Sequence, residues 1–171
     1  MIKQNEFAKR RGQLMEIAGK GSVIIVRAAA AKIRNNDAHY PYRQDSDFLY
    51  LSGFCEPESM IVLLPDGKDG RSIMFCRERD KLREMWDGIM AGTEGVLDEY
   101  GFDEAFPISE MEKRLPELLH GRERIYYDLG KDPDFDHLLI GWMNDFRAKT
   151  RKKFLAPDEI IALDHSPVSY T

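Results

Sequence analysis

Four histidines are the natural starting point for metal or acid–base chemistry: His39, His120, His137 and His165. No two stand at a ligand spacing such as HxxxH, and HExxH is absent. Asp132, Asp134 and Asp136 alternate like the opening of a calcium loop. Such a loop needs glycine sixth and glutamate twelfth, and those places hold His137 and Met143. The three carboxylates therefore read as an exposed helix start. Gly19-Lys20-Gly21-Ser22 has the composition of a phosphate loop without its order, and it precedes a strand, not a helix. No GxGxxG and no GxSxG occurs. Cys55 and Cys76 form no CxxC pair and sit in or beside apolar segments, where a thiol is usually inert packing. No catalytic constellation assembles from these residues.

Two stretches are odd for a plain core. The first, 37–54, crowds aromatics, charges and amides into a region with no regular period. Such loops are typical of interaction surfaces. The alternative is a structural loop in which Arg43, Gln44 and Asp45 satisfy backbone groups. The second, 79–88, is a short, highly charged helix that ends on Trp86 followed by Asp87-Gly88. An exposed Trp86 would be a contact residue; a Trp86 folded onto a sheet would be core.

These stretches must be held by a scaffold. The chain has 171 residues, 43% hydrophobic and 32% charged, which fits one globular domain over 1–171 with a true core. A net charge of −5 argues against nucleic acid or anionic membranes as partners. The basic run Arg147–Lys153 reads as the solvated end of a helix. Two cysteines make no secreted disulfide framework, so buried free thiols are expected. The N-terminus lacks the apolar core of a signal peptide, and no run of about 18 apolar residues occurs. A cytoplasmic setting is the expectation.

A first helix is predicted over Glu6–Ala18, with Phe7, Leu14, Met15 and Ala18 on one face and Lys9, Arg10 and Arg11 elsewhere. Ser22–Val26, Met60–Leu64 and Ser72–Cys76 read as buried strands, the last two joined as a hairpin by Pro65-Asp66-Gly67. Asp80 is a candidate N-cap for a helix to Trp86. A helix over Thr93–Tyr100 should stop at Gly101. Ser109-Glu110-Met111-Glu112 fits a capping box for a helix to about His120, with Pro116 inside it. Arg124–Asp128 reads as a fourth strand. Asp132-Pro133 then opens a helix whose core face is Phe135, Leu138, Leu139, Trp142, Met143 and Phe146. Strands alternating with helices, broken by one hairpin, give an α/β fold with a mixed sheet flanked by helices. The tail, Pro157–Thr171, has weak periodicity and reads as a connection.

Tyr40, Pro41, Tyr42, Arg43, Gln44, Ser46, Asp47, Phe48, Tyr50, Gly53 and Phe54, followed by Glu56-Pro57-Glu58, form a long and specific pattern. It resembles the amino-terminal domain of bacterial aminopeptidase P. Phe75, Arg79 and Asp80, then Glu84, Trp86 and Gly88, match the same family at the expected separation, and Ala156-Pro157 match near the end. The stretch between Gly88 and Phe106 matches loosely. The resemblance implies a creatinase/prolidase-like amino-terminal fold with a ribonuclease H-like motif. It also implies a parent Xaa-Pro aminopeptidase, a metallopeptidase that removes an N-terminal residue when proline follows it. The family's carboxy-terminal pita-bread domain binds two metals, usually manganese, through ligands that cannot be placed in this chain. The chain is therefore expected to be inactive alone.

The resemblance further implies that this domain helps build a homo-oligomer and lends residues to a neighbour's active site. Trp86 matches a tryptophan lining the neighbour's pocket, Asp37 an aspartate near its mouth, and Arg151 a basic residue facing the channel. Two other readings compete. One is a stand-alone, non-catalytic peptide- or protein-binding module of the same fold. The other is a nuclease using Asp45, Asp47 and Asp128, against which the acidic charge argues.

Overall fold

In the computed structural model the described residues are 3–31, 33–35, 38–39, 41–149, 157 and 159–163. The elements run α1 (Gln4–Ala18), β1 (Ser22–Arg27), β2 (Ile33–Asn35), β3 (Ala38–His39), α2 (Ser46–Ser52), β4 (Met60–Leu64) and β5 (Arg71–Cys76). There follow α3 (Lys81–Asp87), α4 (Gly92–Tyr100), β6 (Glu104–Pro107), a 3-10 turn (Ile108–Glu110), α5 (Met111–Leu119), β7 (Arg124–Tyr126), α6 (Pro133–Lys149) and β8 (Glu159–Ile161). Six strands form one sheet in the order β6-β5-β4-β1-β7-β8, and β2 pairs with β3 apart from it. β4 runs antiparallel to both of its neighbours, while every other pairing in the sheet is parallel. The carboxyl ends of β1, β5, β6, β7 and β8 therefore share one edge. The expected α/β class, mixed sheet and β4–β5 hairpin are present.

Both faces of the sheet are covered, so its central strands are apolar throughout and alternate strictly between two cores. Val23, Ile25, Met60, Val62, Leu64, Ile73 and Phe75 face α5 and α6, meeting Leu115, Leu119, Phe135, Leu139 and Met143. Ile24, Val26, Ile61, Leu63, Met74 and Cys76 face α1, α2 and α4, meeting Leu14, Met15, Phe48, Leu51 and Val96. The predicted core face of α6 holds at Phe135, Leu139, Trp142, Met143 and Phe146, with Leu138 half-buried beside it and Trp142 edge-on to Phe135 at 6.2 Å between ring centres. Asp132 caps α6 by accepting from the Asp134 and Phe135 amides.

Several expectations are corrected. Arg11 is not solvated. Its side chain is 1% exposed and donates to the carbonyls of Leu51 (2.9 Å), Gly101 (3.0 Å) and Tyr100 (3.3 Å). Those carbonyls end α2 and α4, where helices lack internal donors. The guanidinium also lies 4.0 Å over the Phe102 ring, and burial lowers its pKa to about 10. The capping box at Ser109 does not form. The 3-10 turn already occupies Ile108–Glu110, so Ser109 lies inside helical backbone and Glu110 stands at the N-cap with no side-chain bond. Glu110 instead pairs with Arg114. Cys55 is exposed, contrary to expectation, while Cys76 is buried and burial pushes its thiol up to about 12. β2, β3, α2, β6 and β8 are elements beyond those expected from the sequence; the last pairs in parallel with β7 within the supposed connecting tail.

Candidate functional site

The shared edge of strand ends opens into a cleft of about 2170 Å³. The loops after β1, β5, β6 and β7 line it, together with the segments 41–47 and 57–59. Ligands of open α/β sheets collect at such an edge, where strand order reverses direction. Here the turn of direction lies at β1, which has β4 antiparallel on one side and β7 parallel on the other.

Gln44 anchors the motif to this edge. Its Nε2 donates to the carbonyls of Phe54 and Glu56, both at 3.1 Å. Its Oε1 accepts from the amides of Ala29 and Asp45, both at 2.9 Å. The Tyr42 hydroxyl lies 2.7 Å from the Ala29 carbonyl and 2.9 Å from Gln44 Oε1, and burial pushes its pKa up to about 12. Asp45 Oδ1 accepts from the amides of Asp47 and Phe48, capping α2, and its carboxylate lies 3.7 Å from Lys131, which pairs with Asp128 at 3.2 Å. Gly53 ends α2 at φ 68°, and a Cβ there would stand 2.7 Å from the Phe7 ring. The structural-loop reading is met at Gln44 and Asp45, which satisfy backbone groups, but not at Arg43, which is exposed. Among the described members Pro41, Arg43, Ser46 and Tyr50 are exposed, and Asp47 is half-buried in the first turn of α2.

The second stretch forms a platform at the cleft rim. Asp80 caps α3 by accepting from the Leu82 amide at 3.0 Å. Arg79 Nε donates to Glu84 Oε1 at 2.9 Å, and the same oxygen accepts from the Met90 amide at 3.0 Å. The Arg79 guanidinium, helped by that amide, holds the Glu84 carboxyl below the usual range. Arg83 bridges Glu58 at 2.9 Å and Asp87 at 3.1 Å. Glu58 adopts a left-handed backbone at φ 53°, an uncommon conformation for a side-chain-bearing residue. Glu56 completes the frame, pairing with the buried Arg77 at 3.1 Å and accepting from the Ala91 amide at 3.0 Å.

Although so braced, α3 buries none of its own residues. Leu82, Met85, Trp86 and Ile89 are 75%, 79%, 87% and 87% exposed. The two readings of Trp86 are thereby decided: it is a surface residue. Leu82, Met85 and Ile89 were not singled out from the sequence, and Glu56 and Glu58 entered only as part of the family pattern. The spacing of Leu82, Met85 and Trp86 could have revealed the stripe on α3, but not the direction it faces, and Ile89 follows the helix end at Gly88.

Arg79 and Asp80 line the cleft together with Arg43, Gln44, Ser46 and Asp47, whereas Trp86 stands on the exposed part of α3 outside the lining. Asp37, Tyr40 and Arg151 lie outside the described residues. Among the described residues no group of three or more His, Cys, Asp or Glu side chains is arranged to hold a metal ion. Asp45 and Asp128, claimed by the nuclease reading, are instead drawn to Lys131.

A family model described as "Aminopeptidase P, N-terminal domain" matches residues 7–126. The chain belongs to that family. The Xaa-Pro aminopeptidase of Escherichia coli (strain K12) is 35% identical over 168 residues, covering 98% of this chain and 38% of that protein. The solved structure of Pseudomonas aeruginosa aminopeptidase PepP superposes with a TM-score of 0.88 at 48% identity, covering 96% of this chain and 37% of that one. A zinc-substituted E. coli aminopeptidase P bound to product superposes at 0.86 with 34% identity, covering 94% of this chain and 37% of that one. The chain thus spans little more than a third of each relative and corresponds to its amino-terminal domain. Among the described residues no helix is long and apolar enough to cross a membrane.

Proposed function

We propose that this chain is the accessory, oligomer-forming domain of a cytoplasmic Xaa-Pro aminopeptidase, which releases the N-terminal residue of peptides with proline second. The two metal ions, manganese by preference, belong to the catalytic domain that makes up the remaining length of the relatives. The described residues offer no donor set that fits them, and the isolated chain is expected to be inert. This domain's part is positional. It presents Trp86 to solvent on α3, from where the flat indole walls the substrate pocket of a neighbouring subunit. Asp37 meets the peptide's α-ammonium at that pocket's mouth, and Arg151 faces the channel.

The observation that carries this reading is the braced platform of α3, which spends ion pairs and a helix cap to present an indole that is 87% exposed. A core tryptophan would need no such frame. The test is Trp86→Ala in a full-length enzyme carrying this domain. We expect kcat/KM for an Xaa-Pro peptide to fall about tenfold, the scale of losing one apolar pocket contact, with metal content unchanged. An unchanged kcat/KM overturns the role of Trp86. Hydrolysis of the same peptide by the 171-residue chain with manganese overturns the accessory assignment.

A further inference from the structure

Between Arg77 and Met90 the chain leaves the domain and returns to it. Both of those residues are buried, while α3 between them buries no residue and joins neither core. Such a helix keeps its place through polar ties, not packing. Two carboxylates supply the firmest of these. Glu84 accepts through one oxygen from Arg79 Nε, before the helix, at 2.9 Å and from the Met90 amide, after it, at 3.0 Å. Glu56 takes the next amide, Ala91, at 3.0 Å and pairs with Arg77 at 3.1 Å. Consecutive amides behind α3 are thus held by carboxylates that are themselves held by the arginines in front of it. Gly92 then passes at φ 68°, where a Cβ would lie 2.7 Å from Arg79 Cγ, so the two feet of the loop stand against each other. The third tie, Arg83 with Glu58 and Asp87, joins exposed side chains, and such pairs hold little.

Of the seven residues of α3 only Glu84 is withdrawn from solvent, its side chain 12% exposed. Trp86, two residues on, lies about 200° further around the helix. We propose that Glu84 is a positioning residue for substrate recognition: by clamping Arg79 to the Met90 amide on the inner side of α3, it fixes where Trp86 stands on the outer side. The proposal rests on the pocket role of Trp86 given above. An indole that walls a peptide pocket must be held to within about 0.5 Å. One that moves freely before binding must be ordered at binding, and that ordering subtracts from affinity. Loss of the clamp should therefore raise KM and spare kcat, the signature of lost uniform binding.

The test is Glu84→Gln, Trp86→Ala and the double variant in a full-length enzyme carrying this domain, assayed on an Xaa-Pro peptide. Glutamine keeps the length of the side chain and can still accept from the Met90 amide, but it loses the charge that holds Arg79. We expect KM to rise about fivefold, with kcat changed by less than about twofold. The double variant should be no weaker than Trp86→Ala alone, because a clamp without its indole has nothing to position. A Glu84→Gln enzyme with full kcat/KM, beside a Trp86→Ala enzyme that has lost it, overturns this proposal and leaves the pocket role standing. Losses that add in the double variant overturn it too, since Glu84 would then act without the indole. So does a loss carried by kcat alone. An unchanged kcat/KM in Trp86→Ala overturns both readings.

Discussion

Two helices of this chain mix charged and apolar residues in similar fashion and end in opposite environments. α1 buries an arginine, and α3 exposes a tryptophan. The difference lies in what stands across from each. Arg11 faces carbonyls that end two other helices, so a buried cation finds three acceptors and an aromatic ring. Trp86 is left to solvent, while the polar residues behind it are held by the neighbouring loops. Burial here follows the partners that the fold supplies, not the residue type.

The comparison breaks most sharply at Arg11. Arg11→Met keeps an apolar stem but strands the Leu51 and Gly101 carbonyls. It should cost about 3 kcal/mol, since each buried acceptor left unpaired costs about 1–3 kcal/mol. Urea unfolding reads this directly. A loss under about 1 kcal/mol would mean that water replaces the guanidinium and that the junction of α1, α2 and α4 is not stapled by it. Gly53→Ala strikes the same junction from the other side. A Cβ at φ 68° meets the Phe7 ring at 2.7 Å, so backbone strain and displacement together should cost about 2 kcal/mol.

How much of this was legible in the sequence follows the range of the interactions. β1, β4 and β5 could be read because each is a run of apolar residues buried on both faces. α6 could be read from Asp132-Pro133 and a clean helical period. α2 carries both of its signals, Asp45 as cap and Gly53 as stop, but the aromatic crowding between them hid the helix. β6 holds no β-branched residue and ends in Pro107, so nothing local marks it as a strand. Arg11 was illegible because its acceptors lie 40, 89 and 90 residues away. At the site, the Asp80 cap is local and was found. The backbone role of Gln44 was one of two readings left open, and the brace of Glu58 on Arg83, which joins distant segments, was not found.

The α3 platform yields smaller effects, because its bonds are exposed. Asp80→Ala removes the cap and should cost the helix about 1 kcal/mol. Global unfolding will register little of this, since no residue of α3 is buried. The readout is time-resolved anisotropy of Trp86 in a Trp142→Phe background, which should fall as α3 frays. Acid should act on the same brace. The Glu84 carboxyl is held below its ordinary value, so its contribution is complete above the unfolded pKa, about 4.3, and is lost as pH drops through the lower folded value. Trp86 anisotropy should hold down to pH of about 4 and decline below it. Glu84→Gln should show the lowered anisotropy already at neutral pH.

The smallest effect sharpens the comparison most. Trp86→Ala removes the largest side chain of α3, yet it should change the stability of the 171-residue chain by no more than about 0.5 kcal/mol. In a core, the same truncation costs about 3–5 kcal/mol. The measurement is urea unfolding at a concentration low enough to keep the chain monomeric, with tyrosine emission or far-ultraviolet circular dichroism as the signal. A loss of about 2 kcal/mol or more would mean that the indole folds back onto its own domain and that the platform exists to be covered from within. A null result, set beside a large loss at Arg11, would show that this chain stabilises itself with a buried cation and reserves its most exposed aromatic for a surface outside the domain.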